Sequence, residues 1–97
     1  MKSTIRTFYK GLINNHECVV VLAGIGKVNA AITTSLLIEN FHVDAIINIG
    51  VAGGQKGVSH TDVVISSEVL YHDVDVSVFG SYIHGQIPGS NPLFYAD

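Results

Sequence analysis

Residues 18–31, CVVVLAGIGKVNAA, and residues 44–54, DAIINIGVAGG, decide the fold class. The run Cys18-Val19-Val20-Val21-Leu22-Ala23 does not alternate polar with apolar residues, as a strand buried on both faces would not. Gly24-Ile25-Gly26 breaks it. From Lys27 to Phe41, residues Val28, Ala31, Ile32, Ser35, Leu36 and Glu39 recur at helical spacing, the first five forming a small-to-apolar stripe, so the pattern predicts a helix. Asp44-Ala45-Ile46-Ile47-Asn48-Ile49 then reads as a second buried strand. Strand, glycine loop, helix, strand makes one right-handed βαβ crossover with parallel strands. Upstream, the strand-like runs Ile5–Ile13 and Glu17–Ala23 flank Asn14-Asn15-His16, and asparagine tolerates the positive φ of a hairpin turn. The expected fold is α/β, a β-hairpin plus a βαβ crossover in a mixed sheet.

Downstream, Gln55–Thr61 reads as a polar loop and Asp62–Glu68 (DVVISSE) as another strand. Val74, Val76 and Val78 alternate with Asp75 and Ser77, as in a half-exposed strand or extended arm. Gly80–Asp97, with two prolines and three glycines, reads as a loop. No repeat, low-complexity tract or linker divides the chain, so residues 1–97 are expected to form one domain.

The composition narrows the class of partner. The 97 residues are 47% hydrophobic and 13% charged, with mean hydropathy +0.40, where roughly a quarter of residues in a soluble domain carry charge. A domain this small hides only about 60–65% of its unfolded surface, so such a chain expects cover from elsewhere. Lys2, Arg6, Lys10, Lys27 and Lys56 are scattered singly and the net charge is −3, which leaves no basic stripe for nucleic acid. A lone Cys18 and no charged-then-apolar leader point to a reducing cytoplasm, and no stretch has the apolar length of a membrane helix.

The two glycine loops both lie at carboxyl ends of the expected parallel strands, where ligands bind in open α/β sheets. Gly24-Ile25-Gly26 fits no phosphate fingerprint: a dinucleotide site wants glycine where Asn29 stands, and a P-loop wants glycine at Val21 and Ser or Thr at Val28. Steric relief for a helix packed close to a strand and a general anion cradle both remain open for it. His72, Asp73 and Asp75 resemble metal ligands, but in an extended segment His72 faces away from the two aspartates, so no metal site is expected. Ser66 or Ser67 with His72 and Asp73 lacks the elbow of a nucleophilic triad. His16, His42, His60 and His84 fall in turns or loops and are expected to be solvated. Phe79, Tyr82, Phe94 and Tyr95, with Pro88 and Pro92, form either a local apolar cluster or an arm reaching a neighbouring subunit.

In order along the chain, AGIGKVNAA (23–31), DAIINIGVAGG (44–54), DVVIS (62–66), YHDVDVSVFG (71–80) and GQIPG (85–89) resemble the bacterial 5′-methylthioadenosine/S-adenosylhomocysteine nucleosidases of the nucleoside phosphorylase superfamily. The resemblance implies a partial phosphorylase/hydrolase-like fold and hydrolysis of the bond between adenine and the ribose of thioether nucleosides, with no cofactor. It places Val51, Ala52 and Gly53 against purine and ribose, where bare backbone allows close approach. It gives Ile25, Val76, Phe79 and Pro88 to the 5′-alkylthio pocket, the last two across a homodimer interface. Ile49 and Val51 stand where these hydrolases usually carry threonine and serine, which alters the ribose contacts. Asn48 stands where phosphorylase relatives carry a phosphate-binding arginine, which favours water as nucleophile.

The resemblance further implies that this chain is the central piece of such an enzyme, without the strand and helix bearing the water-activating glutamate or the half bearing the ribose and purine carboxylates. The catalytic residues are therefore unassigned, and the chain alone is expected to be inactive. A noncatalytic nucleoside-binding or dimerising module is the alternative expectation, and a purine nucleoside phosphorylase the third.

Overall fold

The computed structural model describes residues 6–97, so Lys2 and the start of the first expected strand at Ile5 lie outside the described residues. The elements are β1 (Phe8–Ile13), β2 (His16–Val21), α1 (Lys27–Phe41), β3 (Glu68–Val69) and β4 (Phe94–Tyr95), with a short 3-10 turn at Ser77–Phe79. The chain divides into two compact units, Met1–Val51 and Ala52–Asp97.

In the first unit β1 and β2 pair antiparallel from Phe8↔Val21 to Ile13↔His16. The two residues between them, Asn14 and Asn15, have φ of 49° and 64°. Positive φ at both positions is the requirement of a type I′ turn, whose twist matches the strands it joins. His16 is thus the first residue of β2 and not part of the turn. α1 spans the residues its spacing predicts and ends at His42 in the left-handed conformation, φ 50° and ψ 48°, a position that more often holds glycine.

The packing of α1 shows which face meets the hairpin. Its single buried residue is Thr33, and the Phe41 ring stacks 5.3 Å from Phe8, which is 5% exposed. The predicted stripe points elsewhere: Val28 is exposed, and Ala31, Ile32, Ser35, Leu36 and Glu39 line an open groove. Apolar residues therefore occupy both sides of the helix, the pattern of a helix covered twice. β2 differs in the same way, because Val20 and Leu22 are exposed where burial on both faces was expected. An all-apolar strand is buried only if each face has a neighbour, and α1 covers one.

The second parallel strand is not observed. Residues 44–49 belong to no ladder among the described residues, and Ile47 and Ile49 are exposed. β-branched residues favour extended backbone, but a strand needs a partner in register beside it. Both observed sheets are two-stranded and antiparallel, so the expected mixed sheet is represented by the hairpin and helix of its α/β fold.

In the second unit β3 pairs antiparallel with β4, Glu68↔Tyr95 and Val69↔Phe94, and the Ala96 amide extends the pairing to the Ser67 carbonyl at 2.9 Å. Of the expected strand Asp62–Glu68 only the last residue joins a ladder. Asp62 instead closes a turn, accepting the Ser59 amide at 2.8 Å on its carboxylate while its own amide bonds the Ser59 carbonyl. The expected terminal loop contains β4, and Tyr71 meets Phe94 edge-on at 5.9 Å.

The chain exposes 8597 Å², against roughly 5,400 Å² for a folded monomer of its mass. Phe8 is the one buried hydrophobic residue among those described. No helix among the described residues is long and apolar enough to cross a membrane.

Candidate functional site

The loop between β2 and α1 owes its shape to three polar side chains that the apolar pattern conceals. Arg6, 6% exposed, donates from Nε to Thr33 Oγ1 at 2.6 Å and from Nη2 to Asn29 Oδ1 at 2.8 Å. The same Nη2 lies 3.4 Å from the Ala23 carbonyl, which also receives the Thr33 hydroxyl at 3.4 Å. Asn29 then donates to the Ile25 carbonyl at 2.8 Å. Bonds to a charged donor are worth about 1.5–3 kcal/mol each when buried, roughly twice the neutral kind. The network thereby joins the start of the hairpin, the loop and the first turns of α1.

At Gly24, φ is +89° and a Cβ would sit 3.0 Å from the Asn29 amide group, so the side chain that pins the loop also excludes one there. This favours steric relief as the glycine's reason. The loop holds its backbone fixed and leaves the Ile25 side chain 96% exposed, an apolar group presented outward from a rigid base.

The second cluster lies in residues 70–90. Asp75 accepts the Ser77 hydroxyl at 2.7 Å and the Ser77 amide at 3.0 Å, both on Oδ1. These two bonds, the hydroxyl first, hold the exposed carboxyl below the usual aspartate value; slight desolvation opposes them and the nearby His84 adds to them. His84 Nε2 meets the His72 carbonyl at 2.9 Å, and its Nδ1 lies 3.8 Å from Asp75 Oδ2. The Gly85 amide donates to the Val74 carbonyl at 2.7 Å. Gly85 is buried, has φ of +88° and would drive a Cβ to 2.6 Å from Leu70 Cδ1 and 2.7 Å from the Tyr71 carbonyl oxygen, so only glycine fits. The alternating valines 74, 76 and 78 are bent out of a strand by the Asp75–Ser77 turn, which closes with the Phe79 amide on the Val76 carbonyl at 3.0 Å.

Of the residues expected at the site, Ile25 and Val51 belong to the first unit, and both are fully open to solvent. Ala52, Gly53, Val76, Phe79 and Pro88 belong to the second. There the structure brings Val76 and Phe79 together on one turn, Val76 half-buried and Phe79 81% exposed. Ala52, Gly53 and Pro88 are exposed. Among the described residues no three His, Cys, Asp or Glu side chains gather as metal ligands. His84 is exposed in a loop, as expected, and its ring also meets the His72 carbonyl. Sequence reasoning missed Arg6, Asn29 and Thr33. A lone arginine inside the apolar run Ile5–Tyr9 was the available signal, since a charge there needs partners.

The comparisons with known proteins agree over nearly the whole chain. The chain is 54% identical over 91 residues to the 5′-methylthioadenosine/S-adenosylhomocysteine nucleosidase of Exiguobacterium sp., 93% of this chain and 39% of that one. It is 50% identical, with the same coverage, to the enzyme of that name from Bacillus cereus. Among solved structures, the Neisseria meningitidis nucleosidase in complex with methylthio-immucillin-A superposes with a TM-score of 0.92 at 42% identity, covering 100% of this chain and 42% of that one. The Streptococcus pneumoniae nucleosidase with the transition-state inhibitor MT-ImmA gives 0.91 at 41% identity, again over 100% of this chain and 42% of that one. The chain thus spans about 39% of the length of the curated relatives it matches. The phosphorylase superfamily profile matches residues 2–97. With the family's fold shared along its full length, the chain belongs to the phosphorylase superfamily.

Proposed function

We propose that this chain serves an adenosine thioether nucleosidase, hydrolysing the N-glycosidic bond of methylthioadenosine and S-adenosylhomocysteine to adenine and the thioribose product. The observation that carries this reading is the 54% identity to a nucleosidase over 93% of the chain, a stretch that includes both glycine loops and the Asp75–Phe79 turn. Apolar, outward-facing Ile25 and Phe79 suit a thioether, which offers no strong hydrogen bond. Bare backbone at Ala52 and Gly53 suits close approach of the purine and ribose, with Val51 beside them and Val76 and Pro88 completing the alkylthio contacts.

Such hydrolysis passes through an oxocarbenium-like state, with a base to activate water and an acid to protonate the departing purine. Within this chain the contribution is to bind and orient the nucleoside. Asn48, in place of an arginine, leaves a phosphate dianion without a strong partner there, which favours water over phosphate as nucleophile. The exposed apolar side chains Leu22, Ile47, Val63 and Ile65 support association, and we assign a homodimer, a cytoplasmic setting and a place in methionine salvage on the same reading.

Adenine release from methylthioadenosine tests it, measured for the chain alone and for the chain mixed with the segments that flank the matched region in the Exiguobacterium relative. Release on mixing, and none from the chain alone, is expected. Release dependent on phosphate would convert the reading to a phosphorylase, and silence in both would leave a noncatalytic nucleoside-binding module, the reading that Ile49 and Val51 in place of hydroxyl residues favours.

A further inference from the structure

We propose that His84 is a positioning residue for the turn that presents Val76 and Phe79, strapping the 72–79 segment to the 83–86 loop through its imidazole ring. A carbonyl oxygen only accepts, so the 2.9 Å contact with the His72 carbonyl puts the hydrogen on Nε2. With that hydrogen on Nε2, Nδ1 of the neutral ring carries a lone pair and makes no hydrogen bond to Asp75 Oδ2, 3.8 Å away; the two attract only when the ring is protonated. The next residue repeats the attachment, Gly85 donating to the Val74 carbonyl at 2.7 Å from a position too crowded for any side chain. Residues 72 and 74 of one segment are thereby met by residues 84 and 85 of the other.

The far end of this connection is the turn itself. Asp75 holds Ser77 through Oδ1 with two hydrogen bonds, and the turn closes from Phe79 to Val76. The loop side is braced as well: Gln86 accepts the Ile83 amide at 3.2 Å on its side-chain oxygen and donates to the Ser90 carbonyl at 3.1 Å. Contacts therefore run from Ser90 through Gln86 into the 83–86 loop, and from His84 and Gly85 to the His72 and Val74 carbonyls beside the Asp75–Ser77 turn. The charged and titratable groups facing the ring are Asp75 and, through its backbone, His72.

The ligand consequence rests on the proposed nucleosidase reading. If Val76 and Phe79 hold the 5′-alkylthio group, loosening the strap weakens selection for the thioether and spares recognition of adenine. The test uses the full chain with His84→Ala and His84→Gln, the latter retaining an amide donor able to reach the His72 carbonyl. Nitrogen NMR of wild type should show the Nε2–H tautomer. His84→Ala should speed amide exchange at Gly85 and Phe79 by roughly three- to tenfold, the effect of one lost hydrogen bond, and His84→Gln should recover most of that protection. The wild-type preference for methylthioadenosine over adenosine should fall several-fold in His84→Ala and return in His84→Gln. An Nδ1–H tautomer, unchanged Gly85 exchange in His84→Ala, or a His84→Gln variant no better than alanine would each overturn the proposal. If neither nucleoside binds wild type, the proposal that this chain binds the nucleoside by itself fails, and the exchange data alone decide whether His84 holds the turn.

Discussion

The first unit is held from within and the second by short local hydrogen bonds. In residues 6–51 a buried guanidinium ties hairpin, loop and helix together, and one pair of rings, Phe8 and Phe41, packs the helix on the strand. Residues 52–97 contain two strands of two residues each and rely on short bonds between turns, Asp62 to Ser59, Asp75 to Ser77, Gly85 to Val74 and Gln86 to Ser90. Cooperative packing governs the first, so deleting buried volume is felt throughout it. Local fit governs the second, so backbone geometry at single positions sets its shape.

Substitutions can break that contrast. Phe8→Ala should have the largest effect, costing about 3 kcal/mol as a large-to-small change at the buried ring, read as loss of the helical signal at lower urea. A cost near zero would mean the stacked rings do not hold α1. Gly85→Ala should cost about 2 kcal/mol, because it adds positive-φ strain to a backbone clash, and should appear as lost protection at Gly85 and Ala96. The response to acid comes next. A carboxyl whose folded pKa is lowered stabilises at and above its unfolded value and loses that contribution as pH falls through the folded one. The Asp75–Ser77 turn should therefore stay closed above pH 3.8 and loosen only below it, followed by the Ser77 amide shift. A transition centred above 3.8 would contradict the role given to Ser77. The smallest expected change is a gain: Asn15→Gly relieves the second positive-φ position of the type I′ turn and should stabilise the hairpin by about 0.5 kcal/mol.

Legibility in the sequence follows the same division. Helical periodicity gave α1 its residues, and Asn14-Asn15 gave the hairpin, because both signals are local. The face α1 buries was not legible, because the helix is apolar on two sides and the sequence does not say which side meets β2. Residues 44–49 carry strand propensity, but pairing depends on a neighbour, which propensity does not encode. Arg6, Asn29 and Thr33 converge from positions 23 and 27 residues apart, beyond any periodic pattern. His84 looked like one solvated loop histidine among several, and only the fold of the 72–86 segment sets its ring against His72 and Asp75. Ile25, Val76 and Phe79 were named through a family resemblance and through no pattern in the residues; Ile25 and Phe79 are exposed and Val76 is half-buried.

Binding of the thioether nucleoside is the most direct test. In an amide-resolved titration of the chain with methylthioadenosine, the account predicts saturable shifts at Ile25, Val76 and Phe79, weaker with adenosine, and none in the 55–62 turn. Shifts of equal size with both nucleosides, or shifts that leave these three residues unmoved, would contradict the claim that this chain recognises the 5′-thioether.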